Sequence, residues 1–211
     1  MLGARYRWSP AAFQPSDRIR LPMLYQIVSL VLDVAAGLLC GACLLRLYMQ
    51  QQRIPMSART GNPLGPFLFA LTDWLVLPLR RVLPQMGSFD LASLLAALLL
   101  QLAQYLLLWL LQGAAQGLGV VAVLALFGLL RVAVSGLIGL VIIYALLSWV
   151  QARSPVSDLL DRLVAPFLSP IRRHLPLLGG VDLSPLALLL LLQVVALLTG
   201  GLQSMALMAV A

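Results

Sequence analysis

Four stretches of the chain stay apolar for long enough to cross a bilayer, and the segments between them are short, polar or rich in arginine. A hydrocarbon core of roughly 30 Å needs about 20 consecutive apolar residues in an α-helix. Met23 to Leu45, Leu91 to Leu111, Ala122 to Val150 and Leu183 to Leu207 meet that demand. The pattern predicts an all-α membrane protein with four transmembrane helices. The third stretch is long enough to tilt or to project past the bilayer. The second and third are separated by Gln112-Gly113-Ala114-Ala115-Gln116-Gly117, small residues that suit a tight hairpin.

Two longer segments, 46–90 and 151–182, lie on one side of the membrane if all four stretches cross it. Arg46, Arg53, Arg59, Arg80 and Arg81 fall in the first, and Arg153, Arg162, Arg172 and Arg173 in the second, whereas the 112–121 connection has none. The positive-inside rule therefore puts both long segments in the cytoplasm and both termini outside. Arg5, Arg7, Arg18 and Arg20 in the first 22 residues oppose that orientation. The expectation that reconciles them is translation from Met23, with 1–22 an untranslated tail. A cleaved signal peptide fits poorly, because the apolar run is longer than such peptides carry and no small-x-small site follows it.

Within the long segments, Phe67, Leu68, Leu71, Trp74 and Leu75 recur at helical spacing, as do Leu159, Leu160, Leu163 and Val164. Asp73, Asp158, Asp161 and Arg162 fall between them. Both read as amphipathic helices on the cytoplasmic face.

Composition narrows the chemistry. The 211 residues are 62% hydrophobic and 10% charged, against about 25% charged in ordinary soluble domains. That excludes a water-soluble globular fold. Every one of the 14 basic residues is Arg and every one of the seven acidic residues is Asp. An enzyme here would have no Lys nucleophile, no Glu acid or base, and one histidine, His174, for every imidazole role. No nucleophile, base and orienting group assemble on one face of the membrane, so the expectation is a protein that is not an enzyme and needs no cofactor or metal. The arginines form no extended basic domain, and nucleic acid is not an expected partner.

The chain also repeats. Leu71 to Gln101 and Leu163 to Gln193 align without gaps at a spacing of 92, with 14 of 31 positions identical. Pro78-Leu79-Arg80-Arg81-Val82-Leu83-Pro84 matches Pro170-Ile171-Arg172-Arg173-His174-Leu175-Pro176, then Gly87 matches Gly179, Asp90-Leu91 matches Asp182-Leu183, and Gln101 matches Gln193. The preceding spans match at a spacing of 98, Val34-Ala35 with Val132-Ala133 and Gly41 with Gly139. Residues 23–111 and 122–207 thus read as two copies of one span-loop-span unit joined by 112–121. An even number of spans keeps the copies in the same orientation, as parallel repeats around a pseudo-twofold axis along the membrane normal.

At these residues the chain resembles the YggT family of bacterial inner-membrane proteins, which are duplicated in this way. The resemblance covers about 23–207, with Asn62-Pro63 to Gln101 as its signature and Ser154-Pro155 to Gln193 as the second copy. It implies a setting more than a reaction: osmotic-shock tolerance and ion uptake in bacterial members, thylakoid cytochrome assembly and nucleoid organisation in chloroplast and cyanobacterial ones.

Each motif has a physical reading. Proline at both ends of Pro-[Leu/Ile]-Arg-Arg-x-Leu-Pro predicts about one helical turn lying in the membrane interface. Arg80, Arg81, Arg172 and Arg173 would then face anionic phospholipid or a partner, since guanidinium grips phosphate with two prongs; plain positive-inside anchoring is the simpler account. Asp90 and Asp182 are expected to cap the second and fourth spans. Cys40-Gly41-Ala42-Cys43 has a redox-like spacing, but Gly37, Cys40, Gly41 and Cys43 suit close helix packing, with no basic neighbour to activate a thiol.

Polar residues inside the spans are more informative. Gln101 and Gln193 fall eleven residues past their caps, about 16 Å into the membrane at 1.5 Å per residue. Asp33 lies at similar depth in span one, and the 98-residue spacing aligns it with Arg131. Charges at that depth normally pair within the bundle, so an Asp33–Arg131 ion pair is expected, with Gln101 and Gln193 in the same polar layer. Such a layer either locks helix register or lines an ion path. The corresponding functions are a membrane scaffold or assembly factor in osmotic or membrane-stress tolerance, and an ion transporter or channel subunit; a homo-oligomer or a membrane-protein partner suits both.

Overall fold

The computed structural model describes residues 16–56, 62, 64–83, 90–114, 117–150, 154–173 and 182–210, with side chains from residue 23 onward. Among these residues the chain is all helix: α1 (Ser16–Gln51), α2 (Leu64–Val82), α3 (Leu91–Leu111), α4 (Leu118–Trp149), α5 (Pro155–Arg172) and α6 (Ser184–Val210). The spans are Met23–Gln51, Leu91–Leu111, Leu118–Trp149 and Ser184–Val210, and they make this a multi-pass membrane protein. The expected start at Met23 concerns residues largely outside those described; α1 itself begins at Ser16.

The first span runs six residues beyond the expected Leu45, because Arg46 does not leave the helix bundle as a loop arginine would. Its side chain is 1% exposed. The spans otherwise end within a few residues of expectation, since apolar length sets them. Asp90 caps α3 by accepting the Ser93 N–H, and Gly113 and Ala114, at φ 79° and 55°, begin the turn toward α4.

Proline was expected to limit the Pro-x-Arg-Arg elements to one turn. Instead Pro78 lies inside α2, and Pro166 and Pro170 lie inside α5, so the paired arginines form the last turns of long helices. Proline removes one backbone hydrogen bond and bends a helix without ending it when packing holds both sides. Here packing does: α2 buries Leu68, Thr72 and Val76, and α5 buries Leu159, Leu160, Leu163, Val164 and Leu168. Phe67 and Trp74, expected on the same face as Leu68, are exposed instead. Pro84, His174 and Pro176 lie outside the described residues.

Three apolar clusters hold the helices. One joins α1, α2 and α3 around Cys40, Cys43, Val76 and Ala96, and a second joins α4, α5 and α6 around Val141, Val164 and Leu188. The third bridges them, with Met49, Ile54 and Leu68 against Leu159 and Leu163. Tyr48 adds a hydrogen bond across that bridge to the Leu163 carbonyl, at 2.7 Å. α3 packs against α1 on one flank and α4 on the other, whereas α6 packs on α4 and α5.

Candidate functional site

The polar layer inside the membrane is assembled around α3. Gln101, Gln104 and Tyr105 follow one another at helical i, i+3, i+4 spacing and so share one face. Gln104 donates through Nε2 to Asp33 Oδ1 on α1. On the other flank Arg131 of α4 donates to the Tyr105 hydroxyl at 3.0 Å. Gln101 is buried between them, its amide oxygen against Gly128, where an added Cβ would collide with it and with the Tyr105 ring. Gly128 is therefore what allows α4 to approach the polar face of α3.

The expected Asp33–Arg131 ion pair is absent from this arrangement. α1 and α4 touch elsewhere, at Gly41 and Val132, but at the level of the two charges each meets a neutral side chain of α3 instead, Gln104 or Tyr105. An amide and a phenol serve either charge, because each can donate and accept. Gln193 also departs from expectation: it lies on an exposed face of α6, because among the described residues no helix covers the flank of α6 that corresponds to the one α4 covers on α3. Asp33 and Arg131 themselves are exposed at the sides of the layer.

A second set of polar contacts fastens α2 and α5 to the spans. Arg46 donates through one nitrogen to Thr72 Oγ1 and Asp73 Oδ1, both at 2.6 Å, and stacks over Phe69 with its guanidinium carbon 4.8 Å from the ring centre. Its Nε is buried with no hydrogen-bond partner. Arg80 pairs with Asp90, which Ser93 also serves through its hydroxyl at 2.7 Å. In α5, Arg172 reaches Asp182 at 2.9 Å and the Tyr144 hydroxyl of α4 at 2.5 Å. Asp182 in turn accepts from the Ser184 N–H at 2.9 Å. Arg80 and Arg172 are thus held by the aspartates that begin the next spans, Arg172 while still 39% exposed, and Arg81 and Arg173 stand exposed beside them.

Burial pushes the Asp90 carboxyl up, but hydrogen bonds from Arg80 and Ser93 outweigh it and hold Asp90 below the usual carboxylate range. Asp182 shifts the same way, where Ser184 and Arg172 overcome burial. Both are charged at neutral pH.

The repeated [Asn/Ser]-Pro elements start α2 and α5. Asn62 accepts from the Leu64 N–H and donates to the Pro55 carbonyl, both at 3.0 Å. Ser154 and Ser157 form a reciprocal capping box. Near these starts a cleft of about 490 Å³ opens between the end of α1 and α5, lined by Gln52, Arg53, Arg162, Pro166 and Ser169. Cys40 and Cys43 are buried and unpaired as thiols. Among the described residues no group of three or more His, Cys, Asp or Glu stands close enough to hold a metal ion.

Sequence reading missed Gln104, Tyr105, Gly128 and Tyr144. The first two carried a signal, since with Gln101 they form a polar stripe along an otherwise apolar span. Tyr144 carried another: at the 98-residue spacing it is the counterpart of Arg46.

Comparison with known proteins places these features in context. The CCB3/YggT family model matches residues 22–111 and again 123–203. An uncharacterized protein named YggT from Escherichia coli K12 is 35% identical over 169 residues, 80% of this chain and 86% of that one. An uncharacterized Vibrio alginolyticus protein is 34% identical over 176 residues, covering 82% and 93%. An uncharacterized Pseudomonas aeruginosa protein is 37% identical over 175 residues, covering 80% and 85%. No solved structure matches the chain.

Proposed function

Because the chain belongs to the CCB3/YggT family, we propose that it is a non-enzymatic scaffold or assembly factor of the inner membrane, built from two parallel repeats, α1–α3 and α4–α6, and acting in osmotic or membrane-stress tolerance. One observation carries the reading: both helices that lie between spans are fastened to the spans by arginine contacts. Arg46–Asp73 and Arg80–Asp90 fasten α2, and Tyr144–Arg172–Asp182 fastens α5. Clamped in this way, α2 and α5 form a fixed platform at the cytoplasmic surface rather than mobile loops. Arg81 and Arg173 face anionic phospholipid or a membrane-protein partner from it, and the cleft with Arg53 and Arg162 offers a second basic contact. The double match of the family model, 101 residues apart at its start and 92 at its end, supports the repeat, as does the recurrence of the Arg-Asp pair ten residues apart.

A transporter or channel subunit is the second reading, and the exposed Asp33 and Arg131 on either side of Tyr105 favour it. The test is ion flux in vesicles reconstituted with the full chain, together with recovery of membrane proteins cross-linked to it in cells. The scaffold reading expects no flux above empty vesicles and specific partners that are lost on Arg81→Gln/Arg173→Gln. Flux that Asp33→Asn abolishes in a folded protein overturns it in favour of transport.

A further inference from the structure

We propose that copies of this chain assemble head to tail in the membrane, α6 of one packing on α1 of the next as α3 packs on α4 within a chain, with Gln193 of one copy donating to Asp33 of its neighbour. The inference rests on the repeat reading and extends it.

α3 has two covered flanks, one against α1 and one against α4. At the repeat spacing α6 is the counterpart of α3, and α4 covers the flank equivalent to the first. Among the described residues nothing covers the flank equivalent to the second. Leu190, Gln193 and Leu197 are exposed there, and Gln193 and Leu197 are the counterparts of Gln101 and Tyr105, which meet Gly128 at the α3–α4 contact. A matching face is open at the other end of the chain. Gly128 is buried where α4 meets α3, and Ala125, one turn before it, is buried too, yet the α1 residues 98 positions earlier, Leu30 and Ile27, are 64% and 58% exposed. Each chain therefore carries one unused copy of both halves of an interface it already makes internally.

Lipid alone is a poor cover for these faces because they are not wholly apolar. Gln193 brings an amide with two N–H donors to the middle of the bilayer, where an unsatisfied polar group is costly. Asp33 is exposed on the α1 face, and Gln104 engages only its Oδ1. Within the chain, Gln101 and Tyr105 meet Gly128 and Arg131. Their counterparts between copies are Gln193 and Leu197 meeting Leu30 and Asp33, which puts the Gln193 amide within one helical turn of the remaining carboxylate oxygen.

Leu30 stands where the chain has Gly128, so the contact between copies is wider than the internal one, and a carboxylate–amide bridge suits that wider spacing. Repetition of one contact between unlike faces closes into a ring or runs on as a filament, here in the plane of the bilayer.

Cysteine cross-linking in native membranes tests this in a Cys40→Ala/Cys43→Ala background. Two differently tagged full-length chains, one Leu30→Cys and one Leu197→Cys, are co-expressed and oxidised with copper phenanthroline. A mixed dimer bearing both tags is expected at least tenfold above same-site dimers, and Gln193→Leu is expected to reduce it several-fold. Same-site linking of equal strength, or no linking, overturns the head-to-tail contact; an unchanged yield with Gln193→Leu overturns the Gln193–Asp33 bridge. An internal control, Tyr105→Cys/Arg131→Cys in one chain with a protease site in the 112–117 connection, separates the two readings. If the control links and the mixed pair does not, the repeat arrangement stands and the assembly falls. If the control fails as well, the α3–α4 contact from which both were argued falls with it.

Discussion

Asp33 and Arg131 show how a buried layer accommodates opposite charges without joining them. Gln104 serves one and Tyr105 the other, so coupling should follow those contacts. Interaction energies between contacting residues are about 0.5–3 kcal/mol. A double-mutant cycle on Asp33→Asn and Gln104→Leu should therefore give coupling in that range, and one on Asp33→Asn and Arg131→Gln should give close to none, both read from unfolding in detergent. Arg46 makes an asymmetric case. Removing one member of a buried pair costs about 3–5 kcal/mol when the charge left behind stays buried. Asp73→Ala strands Arg46, which is 1% exposed, whereas Arg46→Met leaves an Asp73 side chain that is 38% exposed to solvent. Asp73→Ala should lower the thermal midpoint by the larger amount, and equal losses would contradict this account. Asp90 adds a pH dependence. Its folded pKa is lowered, so its contribution is complete above its ordinary value of 3.8 and is lost as pH falls through the folded value. Arg80→Met removes the cation and leaves burial less opposed, so the acid unfolding transition, followed by circular dichroism, should move to higher pH.

Helix contacts depend on where a Cβ fits. At Gly128 it would strike Gln101 and Tyr105, whereas at Gly136 of the same helix it meets nothing within 4 Å. Overpacking costs typically 1–3 kcal/mol, and Gly to Ala in a helix gains about 0.5–1 kcal/mol where space allows. Gly128→Ala should destabilise the protein and Gly136→Ala should leave it unchanged or slightly more stable, compared as thermal midpoints in one detergent. The prolines of α2 and α5 follow similar logic. Proline read as a helix end because the local rule considers only the lost N–H and the ring clash; the packed faces of Leu68 and Val76, or Leu163 and Leu168, hold the helix on both sides of it.

The molecule as a whole divides its arginines between anchoring itself and facing outward. Arg80 and Arg172 hold helices in place, and Arg81 and Arg173 project beside them. Arg81→Gln/Arg173→Gln should keep the thermal midpoint within the effect of about 0.5 kcal/mol typical of surface changes while lowering retention of anionic phospholipid in native mass spectrometry. Arg80→Gln/Arg172→Gln should lower the midpoint itself. Unchanged lipid retention in the first variant would remove the lipid-contact role. The same division explains why reading sequence alone grouped all four arginines: adjacent residues in a motif look equivalent until the next span's first aspartate selects one of each pair.

Apolar length, arginine placement and the 92- and 98-residue spacings were enough to set the number of spans, their approximate ends and the positions where polar groups enter the membrane. Those features are local or periodic, and the bilayer imposes them on any sequence of this kind. Which polar groups meet was decided by helix neighbours. α3 packs on both α1 and α4, and Asp33 and Arg131 take partners from it rather than from each other, while Arg46 turns inward to Asp73 and Thr72. Gln101 and Gln193 occupy the same position in matching sequences, yet one is buried and the other exposed, because burial belongs to the flank that another helix covers and not to the residue.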